Sequence, residues 1–162
     1  MCGVDNPEPQ FPFFFYGTLR QGQDNYMLIR GRTVAESPAV SHHKALYSLG
    51  SFPFMTEGDG VVHGELVTFH RNAYHEIVPI LDRLEGYRPE VPSECFYRRV
   101  LIPVIDHQGQ PDCAWAYLGS LDYTHFPLHR IESGDWVLHR INILGGTRFA
   151  KYLSHDSVNH RI

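Results

Sequence analysis

Six residues near the start of the chain, Phe11 to Tyr16, form its most apolar run, and Gly17 cuts that run off before the polar stretch "TLRQGQDN". A run so short and so aromatic suits a strand covered on both faces better than an amphipathic helix. A strand of that kind sits in the middle of a sheet, so the rest of the chain must supply its cover. With 162 residues the chain can bury a core without metal or disulfide staples. The expected organisation is a flexible leader at 1–10, a single domain at 11–146 and a C-terminal tail at 147–162.

The remaining pattern is a series of strands around one good helix. "TVAESPAV" and "HHKALYSL" are two strand candidates, "GSFPFMTEGDG" reads as a loop, and "VVHGELVTF" alternates like another strand, with Gly64 marking a bulge or close backbone approach. Residues 72–84 carry Ile77, Ile80, Leu81 and Leu84 at three- and four-residue steps, which predicts a helix capped by Asn72 and kinked or broken by Pro79. A shorter helix is expected over residues 24–30, capped by Asp24. "FYRRVLIPVI" and "CAWAYLG" are strands joined by "DHQGQPD", and "IESGDW" is a tight turn. Several strands interrupted by one helix define an α+β domain built on a curled sheet or small barrel.

Composition narrows the function. The net charge is -4 with histidines neutral, and basic residues are scattered, unlike the positive face that nucleic acid requires. The apolar run is too short to cross a bilayer, and "MCGVDNPEPQ" lacks the basic start and apolar middle of a signal peptide, so no membrane partner and a cytoplasmic location are expected. Three widely spaced cysteines, Cys2, Cys95 and Cys113, read as reduced thiols. The eleven histidines show no helical ligand spacing: Pro127 lies between His125 and His129, and His70 and His75 are five apart. On a strand, His42 and His43 would point in opposite directions. No metal site is expected.

Three segments, "FYGTLRQGQDN", "YSLGSFPFMTEGDGVVHGELVTF" and "LDRLEGYRPEVPSECFYRRVLI", carry the chemistry. Together with "IESGDW" they resemble, in order and over residues 13–138, the gamma-glutamylcyclotransferase-like family, in the manner of its small bacterial branch. The resemblance implies a compact mixed β-barrel with flanking helices. It implies a loop at the barrel mouth, here Tyr16, Gly17, Thr18 and Leu19, whose amides hold a glutamyl group, and a proton-transferring carboxylate, here Glu85. Tyr97 matches a family tyrosine near that carboxylate, and Tyr117 has a similar status. The implied reaction uses no cofactor: the α-amine of a gamma-glutamyl amine or amide attacks the side-chain carbonyl, giving 5-oxoproline and a free amine.

The physics of these residues agrees with such roles but also allows plainer ones. A strand that ends at glycine can turn its next N–H groups outward, which suits an anion, yet the same sequence makes a simple strand-ending turn. Glu85, followed by Gly86, can be the last residue of a helix, where the negative end of the helix dipole and burial would both raise its pKa toward that of a general base. Tyr97 could orient Glu85 or a substrate oxygen, or serve as core. Asn25 and Gly22 fix the turn, Phe52 and Pro53 form an apolar wall, Arg20 and Arg99 are ion-pair partners, and Asp82 is expected to pair with Arg83 or Arg88 at the surface. The rival function is a non-catalytic module that binds a small acid or regulates through it; a thiol enzyme using Cys95 or Cys113 is a third reading. Leaving-group specificity would reside in residues 50–60, 87–95 and 119–134.

Overall fold

A computed structural model describes residues 9–120 and 128–143. The proposed tail and most of the leader lie outside these residues, as do His125 and Cys2. Five strands close into a ring: β1 (Phe13–Phe15), β2 (Thr33–Ser48), β3 (Pro53–Phe69), β4 (Tyr97–Asp106) and β5 (Pro111–Gly119). The order is β3-β1-β5-β4-β2, and β2 pairs with β3 to complete the barrel. All pairings are antiparallel except β1 with β5, which is parallel at Phe13 and Trp115, so the barrel is mixed. A short β6 (His129–Arg130) extends the sheet from the end of β2.

Of the strand expected over Phe11–Tyr16, only Phe13–Phe15 forms one, with Phe11 and Pro12 partly buried before it and Tyr16 buried after it. Phe13 and Phe15 pack with Ile77 and Leu81 of α1 (Arg71–Leu84), while Phe14 points the other way, joining Val62, Ile102, Val104 and Trp136. Alternate residues of a strand face opposite sides of the sheet, and α1 packs outside, so Phe14 fills the interior. All three phenylalanines are at most 3% exposed. Complete burial of such a side chain contributes roughly 1.5–3 kcal/mol, which makes β1 an anchor of the fold despite its three-residue length.

Several local expectations change. The two strand candidates at 33–40 and 42–49 are one 16-residue strand, interrupted by a register shift at His43, whose φ is 57°. His42 and His43 are therefore both exposed instead of alternating. The supposed loop "GSFPFMTEGDG" supplies the first half of β3. Its turn residues form a bulge, with Lys44 opposite both Glu57 and Gly60. Gly58 is needed there because a Cβ would come within 2.6 Å of the Ala45 Cβ.

Helix α1 begins two residues earlier than the Asn72 cap suggested, with His70 at the N-cap and no side-chain capping bond. Pro79 lies within it without dividing it. The helix expected over 24–30 shrinks to a single 3-10 turn, Tyr26–Leu28, preceded by Asn25 instead of capped by Asp24. After the "IESGDW" turn the chain forms a helix at 136–143 that the sequence reading did not include. Asp135 caps it, accepting from the Val137 and Leu138 amides at 3.0 and 3.3 Å.

Candidate active site

Between the end of β1 and the end of α1 lies a cavity of about 290 Å³. All seven residues singled out from the sequence line it: Tyr16, Gly17, Thr18, Leu19, Glu85, Tyr97 and Tyr117. Phe52 and Pro53 add the anticipated apolar wall, and Asn25, Phe14, Phe15 and Leu84 complete it. The two ends of the domain's most informative motifs, 68 positions apart in numbering, thus open onto one space.

The loop is held from below by its own chain. Arg20 N donates to the Gly17 carbonyl at 3.1 Å and Asn25 N to the Thr18 carbonyl at 2.9 Å, while Asn25 Nδ2 reaches Thr18 Oγ1 at 2.9 Å. These bonds use the loop's carbonyls. Its amides stay uncommitted: no N–H of Gly17, Thr18 or Leu19 donates to a partner among the described residues. Loops with adjacent free N–H groups are suited to an anion. Gly17 has a packing reason as well, since a Cβ would stand 2.5 Å from Pro53 Cγ. Arg20 locks the far end through Glu65 at 2.7 Å and Asp135 at 2.8 Å, the structural ion pairing foreseen for it.

Glu85 follows the last residue of α1 as its C-cap. The stop is a Schellman motif: Tyr87 N donates to Asp82 O at 2.8 Å and Gly86 N to Arg83 O at 3.2 Å, with Gly86 at φ 67°. This arrangement fixes where the Glu85 side chain leaves the helix. Its carboxyl is pushed up from the ordinary 4.5 to about 7, and burial is the cause. The nearby Glu85 charge helps hold the Tyr16, Tyr97 and Tyr117 hydroxyls protonated, after burial, which is the larger effect on each; for Tyr117 the bond to Asp82 also contributes.

Asp82 departs from its expected role, and the Tyr97 hydroxyl has a definite partner. Asp82 does not pair at the surface with Arg83 or Arg88. It turns inward and binds Arg99, with Nε 2.9 Å and Nη2 3.4 Å from its two oxygens, and it also accepts the Tyr117 hydroxyl at 2.7 Å. Its place one helical turn before Glu85 was a readable signal, because residues three apart share a helix face. Tyr97 gives its proton to the Pro53 carbonyl at 2.6 Å, so it offers Glu85 or a substrate oxygen no donor. Leu84 was not anticipated in the wall; it lies at the cavity 40% exposed.

The thiols lie elsewhere. Cys95 is buried among the backbone of Arg88 and Val91, Cys113 is exposed, and neither lines the cavity. Among the described residues no group of three or more His, Cys, Asp or Glu is placed to hold a metal, and no helix is long and apolar enough to cross a membrane.

A small mixed barrel with a backbone loop and a half-buried carboxyl sharing one cavity defines a class, and comparison with known proteins gives it a family. The description of the gamma-glutamyl cyclotransferase, AIG2-like family matches residues 13–138. A curated relative from Vibrio cholerae serotype O1 is 33% identical over 123 residues, covering 76% of this chain and 92% of its own. Gamma-glutamylcyclotransferase family protein YtfP of Escherichia coli K12 is 32% identical over 124 residues, covering 76% and 94%. Among solved structures, YkqA from Bacillus subtilis superposes with a TM-score of 0.62 at 22% identity, over 83% of this chain and 42% of its own length, which shows a shared fold. The chain belongs to the gamma-glutamyl cyclotransferase, AIG2-like family.

Proposed function

We propose that the protein is a cofactor-independent gamma-glutamylcyclotransferase acting in the cytoplasm on a small gamma-glutamyl amine or amide. The observation that carries this reading is the meeting, in one cavity, of the uncommitted Gly17–Leu19 amides and a half-buried Glu85 carboxyl poised near neutrality.

Two obstacles stand before the reaction. The attacking α-amine is an ammonium at neutral pH, and the departing nitrogen needs a proton. A carboxyl with a pKa near 7 can serve both steps, taking the proton from the ammonium and delivering it to the leaving nitrogen. The amine nitrogen then bonds to the amide carbon as the carbon–nitrogen bond of the leaving group breaks, closing the 5-oxoproline ring. Amides of the loop would bind the α-carboxylate and hold the chain folded for attack, an effect worth roughly 7–11 kcal/mol in intramolecular reactions. An amide close to the carbonyl would also stabilise the oxyanion.

The test is a panel of gamma-glutamyl amines and gamma-glutamyl amino acids incubated with purified protein, with 5-oxoproline as the readout. Glu85→Gln keeps the shape and removes the proton shuttle, so turnover should fall by about 10²–10⁴-fold. Undiminished turnover in that variant would refute the role of Glu85. A small acid bound in the cavity with no turnover of any panel member would instead favour the non-catalytic binding module.

A further inference from the structure

Three tyrosines line the cavity, and each gives its hydroxyl proton to an oxygen that can only accept. Tyr16 donates to the Tyr117 carbonyl at 2.6 Å, Tyr97 to the Pro53 carbonyl at 2.6 Å, and Tyr117 to Asp82 Oδ1 at 2.7 Å. A carbonyl or an ionised carboxylate has no proton to return, so the direction of each bond is fixed. For Tyr117 the fixing is reinforced from behind. Asp82 is the carboxylate partner of Arg99, and both side chains are largely buried; the Arg99 guanidinium in turn lies 4.6 Å from the Trp115 ring centroid. A phenol whose proton is committed presents only lone pairs to whatever approaches it.

The cavity is therefore polarised. Uncommitted N–H donors stand along Gly17, Thr18 and Leu19, while Tyr97, Tyr117 and ionised Glu85 offer acceptors. We propose that Tyr97 and Tyr117 form an acceptor subsite for the α-amino group of the ligand, and that Asp82, acting through Tyr117, is a positioning residue that keeps this subsite free of competing donors. The inference deepens the cyclotransferase reading and rests on it for the identity of the ligand as an α-amino acid derivative. An ammonium has three N–H bonds. Two directed at the phenol oxygens leave the third for Glu85; when that N–H bond breaks, its proton bonds to the carboxylate and its electron pair stays on nitrogen, ready to attack.

Two unreactive probes separate this from turnover: L-norleucine, which carries both α-amine and α-carboxylate, and hexanoate, which lacks only the amine. Binding of each is followed by NMR titration of the full chain. The wild type should prefer norleucine by about tenfold, the scale of hydrogen bonds to a charged group. Tyr117→Phe, which leaves the Asp82–Arg99 pair intact, should cut that preference to about threefold or less while hexanoate binds as before. Asp82→Asn should do likewise, since its amide can donate to the Tyr117 oxygen. General structural damage would weaken both probes alike. A wild type without preference for the amine, or a preference that survives Tyr117→Phe and Tyr97→Phe, overturns the proposal. Neither probe has an amide to cleave, so absence of 5-oxoproline from the substrate panel would count against the reaction and leave this result to stand by itself.

Discussion

On the proposed mechanism, Glu85 carries opposite consequences for stability and for activity. Folding raises its pKa from 4.5 to about 7, so the folded chain binds that proton more tightly than the unfolded chain does. Stability from this group is then full below about pH 4.5 and declines as pH rises toward about 7, where the ionised carboxylate sits in a site that burial disfavours. Glu85→Gln removes the ionisation, and should be more stable than the wild type at pH 8 by on the order of 1–3 kcal/mol, with the gap closing near pH 4. Urea denaturation at the two pH values measures it; an equal gap at both would show that the carboxyl is not strained. The sequence made the identity of this residue legible through the order of its motifs and offered two causes for its poise, the helix end and burial, without choosing between them. Of the two, burial is what raises the pKa. Burial depends on side chains from β1, β4 and β5, which no local window contains. Asp82 teaches the same point, since its partners Arg99 and Tyr117 are 17 and 35 residues away.

The turn from α1 into the following loop is where backbone geometry meets chemistry. Gly86 stands at φ 67°, and nothing lies within 4 Å of where its Cβ would be. Gly86→Ala therefore meets no clash, and its cost is conformational, roughly 1 kcal/mol. For a chain of this size that lowers Tm by about 2–4 °C. The variant should lose more activity than that small destabilisation would cause, because the strained cap re-aims Glu85; thermal melts and kinetics on one preparation compare the two, and full activity would show that the cap only ends the helix. Helix α1 was legible because its apolar residues recur at helical spacing. Its start was not, because no side chain makes a capping bond there. The long β2 and β3 were misread for a related reason. Gly58, Asp59 and Gly60 have turn chemistry, and only pairing with β2 over its full length converts that chemistry into a bulge. Conversely, Phe13–Phe15 was readable as strand because both of its faces are buried, which leaves an unbroken apolar signature.

Closure of the barrel holds all of this together. β1 joins β3 to β5, the single parallel pairing in the ring, and delivers the Tyr16–Leu19 loop to the cavity. The helix at 136–143 sends Trp136, 1% exposed, into the interior cluster with Phe14, Val62 and Ile102. Its cap, Asp135, is tied to Arg20 just after the loop. Trp136→Ala should therefore cost about 3–5 kcal/mol, read as a lower urea midpoint with little change in slope. A barrel with flanking helices was legible from the motif order and the strand count. The contribution of the last helix was not, since "GDWVLHRINI" offers three exposed apolar residues, Leu138, Ile141 and Ile143, against one buried tryptophan, and so hides the face that matters. For the proposed reaction the barrel serves as a holder of one carboxyl against one loop. The decisive measurement is the pH dependence of kcat/KM for 5-oxoproline formation from the best substrate of the panel. Activity should climb about tenfold per pH unit below about 7 and level off above it, as the Glu85 carboxyl ionises. A profile flat from pH 5 to 8, or one that breaks near 4.5, would contradict Glu85 as the proton carrier.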